Sequence, residues 1–257
     1  MAFTLAACAE MLWQDRPIAW RAARLHEMGF EVGLWNWPDH DLDALAASGA
    51  TFSIMNGYLE GRLADDAGAD QLLASARETA LVGKRLGVAR LNLHGTGLGE
   101  GGRPKLAEVA TPLKWVKALE TLNRICDLAE ELEVQFTLEN LNLPVDHAGV
   151  PFGRAEETLA LVSAVNRPEL RLNLDLYHAQ IGEGNLIELC QACLPWIGEI
   201  QVADVPGRCE PGTGEINYAG VARALQKMGY NGPVGMEAFA SDTPEAALEA
   251  FRAAFTV

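Results

Sequence analysis

Three carboxylates and one side-chain amide stand at the ends of successive apolar runs. Glu139 closes VQFTLE, Asp175 closes LRLNLD, Gln201 lies in EIQVA, and Glu237 closes GPVGME. All four offer oxygen ligands, and three converging carboxylates would repel one another unless a cation lay among them. The set therefore implies one bound divalent cation. Oxygen donors suit Mg²⁺ or Mn²⁺, and the chain has no ligand-spaced Cys/His cluster that would favour zinc. Around these residues lie further polar groups. Tyr177 and His178 follow Asp175 into the next turn, and His94 ends the run LNLH, placed to line a pocket. The segment DVPGRCEPGTGEINY, Asp204 to Tyr218, is a Pro- and Gly-punctuated loop that follows an apolar strand and carries Arg208, Glu210 and Glu215. Arg208 is the candidate for gripping a substrate carboxylate through two hydrogen bonds, with Glu210 beside it as a second substrate-facing group.

The elements that must position these residues alternate between short apolar runs and amphipathic segments. Strands are expected near residues 3–7, 31–34, 51–55, 90–93, 134–138, 170–174, 199–202 and 234–236. Helical patterns lie between them, over 17–28, 69–86, 112–132, 155–165, 186–194 and 219–228. Several helices stop at a glycine, Gly29, Gly87 or Gly229, where a left-handed residue ends the helix before the next strand. Eight such units predict a parallel (β/α)8 TIM barrel in a single domain over residues 1–257, with an open doubly wound sheet as the alternative. In a barrel every strand C-terminus opens on one face, so the four donors should converge there. The long loops 56–68, 95–105, 140–153 and 204–218 each follow a strand and should surround them. The glycine string from Gly95 to Gly102 lacks the helix-opening context of a dinucleotide fingerprint and reads as a flexible loop.

With 257 residues, 49% of them hydrophobic, the chain can bury one large core. A formal charge of -15 argues against binding to phosphate backbones, and no apolar run approaches a membrane span. Neither nucleic acid nor a membrane is expected as a partner; a small molecule is, and exposed barrel ends leave a homodimer open. LAAC at residues 5–8 looks like a lipoprotein cleavage site but lacks the preceding segment, so it reads as the first strand. Five cysteines without framework spacing fit a cytoplasmic location, and Cys190 and Cys193 read as two buried helix residues.

The strand-end Glu139, the D-L-Y-H run from Asp175, IQVADVPGR around Gln201, EPGTGEINY and the final Glu237 resemble the hydroxypyruvate isomerase family of the xylose-isomerase-like barrel superfamily. The resemblance is dense from Glu139 to Glu237. It implies that Glu139, Asp175, Gln201 and Glu237 hold the cation, that Glu139 and Glu237 exchange protons with the substrate, and that His178 contacts a substrate oxygen. The implied reaction interconverts hydroxypyruvate and tartronate semialdehyde, or a close analogue such as a 2-oxo-tetronate, through an enediolate. Sugar 3-epimerases acting on neutral ketoses are the nearest alternative; they usually carry His where this chain has Gln201. A zinc endonuclease barrel is disfavoured by the charge and by only five histidines, and a catalytically silent carbohydrate-binding barrel by the retention of both glutamates. The N-terminal half departs from the family: Gly33 stands where a Glu is usual, MNGYLEGRLADD replaces a Gly-Asp-Trp loop, and Asn140 replaces a Pro after Glu139.

Overall fold

The computed structural model describes residues 3–99 and 103–257. Eight parallel strands form a closed barrel in sequence order: β1 (Thr4–Cys8), β2 (Glu31–Leu34), β3 (Phe52–Asn56), β4 (Arg90–Leu93), β5 (Phe136–Glu139), β6 (Leu170–Asp175), β7 (Ile197–Val202) and β8 (Pro233–Met236). Closure comes from β1 pairing with β8, Leu5 opposite Val234 and Ala7 opposite Met236. The doubly wound alternative is thereby excluded. The helices are α1 (Ile18–Glu27), α2 (Leu42–Ala47), α3 (Asp66–Leu86), α4 (Pro112–Leu132), α5 (Ala155–Val165), α6 (Leu176–Gly182), α7 (Leu186–Cys193), α8 (Tyr218–Lys227) and α9 (Pro244–Ala254).

The helix stops behave as the sequence implies. Gly87 ends α3 at φ 70° and its N–H reaches the carbonyls of Gly83 and Lys84. The same left-handed stop is made by Glu133 after α4 and Asn166 after α5, without glycine. Tyr177 and His178 lie in the first turn of α6, not in an open turn, because the Asp175 side chain caps that helix by accepting from the His178 N–H at 2.8 Å. Cys190 and Cys193 are buried in α7, and all five cysteines are free. Among the described residues no helix is long and apolar enough to cross a membrane. The glycine string is described only as far as Gly99; residues 100–102 lie outside the described residues.

Inside the barrel, inward-facing residues recur every second position, since side chains alternate across a strand. A lower polar layer holds Glu199, fully buried, with Arg90 Nε at 2.8 Å and the Ser53 hydroxyl at 2.9 Å from its Oε2. Gly235 faces this layer because a Cβ there would lie 2.8 Å from Glu199 Oε1. Above it, Asn92, Thr137 and Asn173 form a neutral amide-hydroxyl layer, with Thr137 Oγ1 donating to Asn92 Oδ1 at 2.9 Å. Two residues further along their strands come His94, Glu139, Asp175, Gln201 and Glu237. The sequence alternation thus delivers polar groups to the mouth in register.

Candidate active site

Glu139, Asp175, Gln201, Glu237, His178 and His94 are all buried at the C-terminal end of the barrel. Apart from Asp175, which lies behind it, they line one cavity of about 510 Å³, together with Arg208. Glu139 is surrounded by neutral groups. Asn92 donates to its Oε2, Asn173 Nδ2 lies 3.2 Å from the same atom, and His94 Nε2 lies at 3.1 Å. Burial, followed by repulsion from Glu237, pushes Glu139 up to about 8. Burial and then the charge of Glu139 push Asp175 well above the usual carboxylate range.

The tautomers follow from the partners. The Tyr58 hydroxyl has one proton and gives it to the Thr96 carbonyl at 2.8 Å, so its oxygen accepts from His94 Nδ1 at 3.0 Å. His94 Nε2 is left as an acceptor facing Glu139, and burial drives the imidazole down to about 4. The His94–Glu139 contact is therefore a hydrogen bond to a neutral ring rather than an ion pair. Asn142 has its Oδ1 occupied by the N–H groups of Val145 and Asp146, so its Nδ2 donates to His178 Nδ1 at 2.7 Å. The proton of His178 then sits on Nε2. That atom is buried without a hydrogen-bond partner, 3.7 Å from Glu139 Oε1 and 3.8 Å from Asp175 Oδ2. Desolvation keeps this ring neutral as well.

Glu139, Asp175 and His178 form a group whose ligand atoms lie within 4.8 Å of one another and could hold a metal ion. The donor set fits a divalent cation. Two carboxylates buried side by side, both pushed up by burial and by repulsion from neighbouring carboxylates, lack the positive charge that would settle them. The other two expected ligands point elsewhere. Gln201 Oε1 accepts from Asn173 at 2.8 Å. Glu237 gives Oε2 to Arg208 Nη2 at 2.5 Å and Oε1 to the Trp35 indole N–H.

The loop that delivers Arg208 is built round a buried aspartate. Asp204 Oδ1 accepts from the N–H groups of Val205 and Ile216, and its Oδ2 from Gly212, while Arg208 N donates to the Asp204 carbonyl. Gly214 is required because a Cβ would lie 2.1 Å from the Val205 carbonyl oxygen. Arg208 itself adopts φ 54°, a left-handed conformation uncommon for a side-chain-bearing residue. Its guanidinium lies over Tyr177, 5.0 Å from the ring centroid, and it pairs with Glu237 rather than with Glu210. Glu210 does not line the cavity: Ser241 donates to it through both N–H and hydroxyl, so its carboxylate ties the loop to the segment after β8. The sequence expectation that it faces substrate does not match this placement.

Sequence reasoning missed Trp35, which follows β2 and fixes Glu237. Its own N–H is held by Glu10 Oε1 at 2.8 Å, which also meets His40 Nε2 at 3.0 Å. Donation of a hydrogen bond to the Glu10 carboxylate raises the His40 pKa. The rule that singled out Glu139 and Glu237, polar chemistry at a strand end, would have found Trp35 had it been extended to indole donors. Asn140, a departure from the family pattern, joins β5 to β6: its Nδ2 donates to the Asp175 carbonyl and its Oδ1 accepts from the Asp175 N–H, both at 2.9 Å.

The family description that matches this chain, over residues 21–255, is the xylose isomerase-like TIM barrel. The chain belongs to that family. Among its relatives in the family, the putative hydroxypyruvate isomerase of Streptomyces coelicolor is 29% identical over 262 residues, covering 92% of this chain and 90% of that one. Hydroxypyruvate isomerase of Escherichia coli is 37% identical over 108 residues, 41% of this chain and 42% of that one. The matched segment likewise spans 43% of the human putative hydroxypyruvate isomerase, at 34% identity. Among solved barrels, an AP endonuclease, family 2, from Brucella melitensis has a TM-score of 0.83 at 27% identity, covering 97% of this chain and 98% of that one.

Proposed function

We propose that this chain is a metal-dependent isomerase that interconverts hydroxypyruvate and tartronate semialdehyde, or a close hydroxy-keto acid analogue, through an enediolate. The observation that carries the reading is a cavity bordered by a metal-capable group on β5, β6 and α6 and by a second glutamate, Glu237, at the end of β8. Glu139 and Asp175 would hold the cation, with Gln201 and Glu237 completing the set by turning from Asn173 and Arg208, and His178 beside them. A divalent ion there, Mg²⁺ or Mn²⁺, supplies electrostatic stabilisation of the negative charge that develops on the substrate oxygens. The reaction removes a proton from C3 of hydroxypyruvate and delivers one to C2, while the hydroxyl and carbonyl exchange places. Glu139 and Glu237 act as the acid and base of these transfers. The Nε2 proton of His178 is free to meet a substrate oxygen, and Arg208, once Glu237 turns from it, would meet the carboxylate. Relatives named hydroxypyruvate isomerase and 2-oxo-tetronate isomerase support this class.

Small hydroxy-keto acids and free ketoses, assayed with Mg²⁺ and with Mn²⁺, test the proposal. Hydroxy-keto acids should be turned over and neutral ketoses should be poor substrates. Arg208→Lys should raise KM for the acids more than it lowers kcat, because an ammonium keeps the charge but loses the two-pronged geometry and the contact over Tyr177. A ketose epimerised far better than any acid, with Arg208→Lys indifferent to substrate charge, would replace this reading with a 3-epimerase.

A further inference from the structure

The carboxylate of Glu237 is held at both oxygens. Trp35, just after β2, gives its indole N–H to Oε1, and Arg208, in the loop after β7, gives Nη2 to Oε2 at 2.5 Å. The two donors differ in what each has left over. Arg208 carries Nε–H and Nη2–H along one edge, the geometry that grips a carboxylate with two parallel bonds. Glu237 fills half of that edge, because its other oxygen is on Trp35, and Nε is buried without a hydrogen-bond partner. A buried cationic donor left unpaired is costly, so a carboxylate able to use both donors would displace this one. The indole has a single N–H and no charge, and that N–H is already used.

Trp35 is also firmly anchored. Its backbone N–H donates to Glu10 Oε1 at 2.8 Å, the same oxygen meets His40 Nε2 at 3.0 Å, and Cys8 Sγ donates to Oε2 at 3.6 Å. Ala9 N donates to the Gly33 carbonyl at 3.0 Å, which ties the segment after β1 to β2. Across the mouth, Phe239 N donates to the Arg208 carbonyl at 2.9 Å, so the backbones that carry Glu237 and Arg208 are joined. A parting of Glu237 from Arg208 is therefore a movement of side chains, not of loops.

We propose that Trp35 is a positioning residue for Glu237: its indole keeps Oε1 in place while Oε2 exchanges Arg208 for the cation, and this exchange opens the two-donor edge of Arg208 to an acid. The inference rests on the reading given under Proposed function and adds an order to it, cation before acid. In the metal-free protein Glu237 stands where the carboxylate of the acid would go.

A double-mutant cycle on cation binding, followed by calorimetric titration with Mg²⁺ and separately with Mn²⁺, tests the role of Trp35. Trp35→Phe keeps an aromatic ring and removes the N–H, and should weaken binding about fivefold, the size of one net hydrogen bond. Added to Glu237→Ala it should cost nothing further, because Trp35 acts on the cation through Glu237. The same loss in both backgrounds makes Trp35 a structural residue and overturns the proposal. The indole N–H proton of Trp35, assigned by its loss in Trp35→Phe, should stay downfield when Mg²⁺ is added, and a move to the position of solvent-exposed indoles overturns the proposal too. The exchange is tested on metal-free protein with D-glycerate as an inert acid. Glu237→Gln puts an amide NH₂ where Oε2 met Arg208, and should bind the acid at least tenfold more tightly than the parent, a gain abolished by adding Arg208→Met. Equal binding by parent and Glu237→Gln overturns the order. A parent that binds neither cation defeats the metal-dependent reading and the exchange together, whereas a cation bound with an additive cycle defeats the role of Trp35 alone.

Discussion

Glu139 and Glu237 face one cavity from different surroundings. Glu139 sits among amides and a neutral imidazole, and burial with the charge of Glu237 lifts it to about 8. Glu237 is paired with Arg208. Two carboxylates set apart by their environments is the arrangement that divides acid from base. Glu139→Gln and Glu237→Gln should each lower kcat by about 10²- to 10⁴-fold at saturating metal, with an unchanged circular dichroism spectrum. A loss below about tenfold would remove that residue from the proton transfers. The raised pKa of Glu139 also has a thermodynamic consequence. The folded value lies above the ordinary 4.5, so between about pH 4.5 and 8 the unfolded chain releases this proton while the metal-free fold retains it. The stability from this group is present below that window and is lost as pH rises through it, and Asp175 acts in the same direction. The thermal midpoint of metal-free protein should fall from pH 5 to 8. Mg²⁺ or Mn²⁺ should restore it most at the upper end, and binding near pH 7 should release protons into a weak buffer. A flat profile and no proton release would show that these carboxylates are already ionised.

At the scale of elements, the Asp204–Tyr218 loop fixes where Arg208 stands at the cavity. Gly214→Ala would drive a Cβ into the Val205 carbonyl. It should destabilise the fold by about 1–3 kcal/mol in urea unfolding, as overpacking does, and lower turnover through Arg208. Unchanged stability would mean that the loop gives way freely. The eight strands were legible in the sequence, because short apolar runs alternating with amphipathic segments are visible without a structure. So was the loop, from its glycines. The start of α6 was not, because Asp175 reads as a ligand and its second role, capping the helix through the His178 N–H, leaves no separate signal. The six-residue α2 is too short to display an apolar stripe. The Thr243-Pro244 opening of α9 is an ordinary helix-start signal that was there to be read. Side-chain pairings were illegible in principle: that Arg208 meets Glu237, and Glu210 meets Ser241, depends on contacts across 29 and 31 residues.

For the molecule as a whole, barrel closure by β1 and β8 brings Glu237 to the same mouth as Glu139, and under the proposed isomerase reading a net charge of -15 leaves a bound cation and Arg208 to attract an anionic substrate. Proton NMR of hydroxypyruvate incubated with the protein and Mg²⁺ in D₂O tests the central claim most directly. Tartronate semialdehyde should appear with deuterium at C2, at a rate cut at least a hundredfold by Glu139→Gln. Hydroxypyruvate left unchanged at saturating Mg²⁺ and Mn²⁺, while D-psicose is epimerised under the same conditions, would contradict the account.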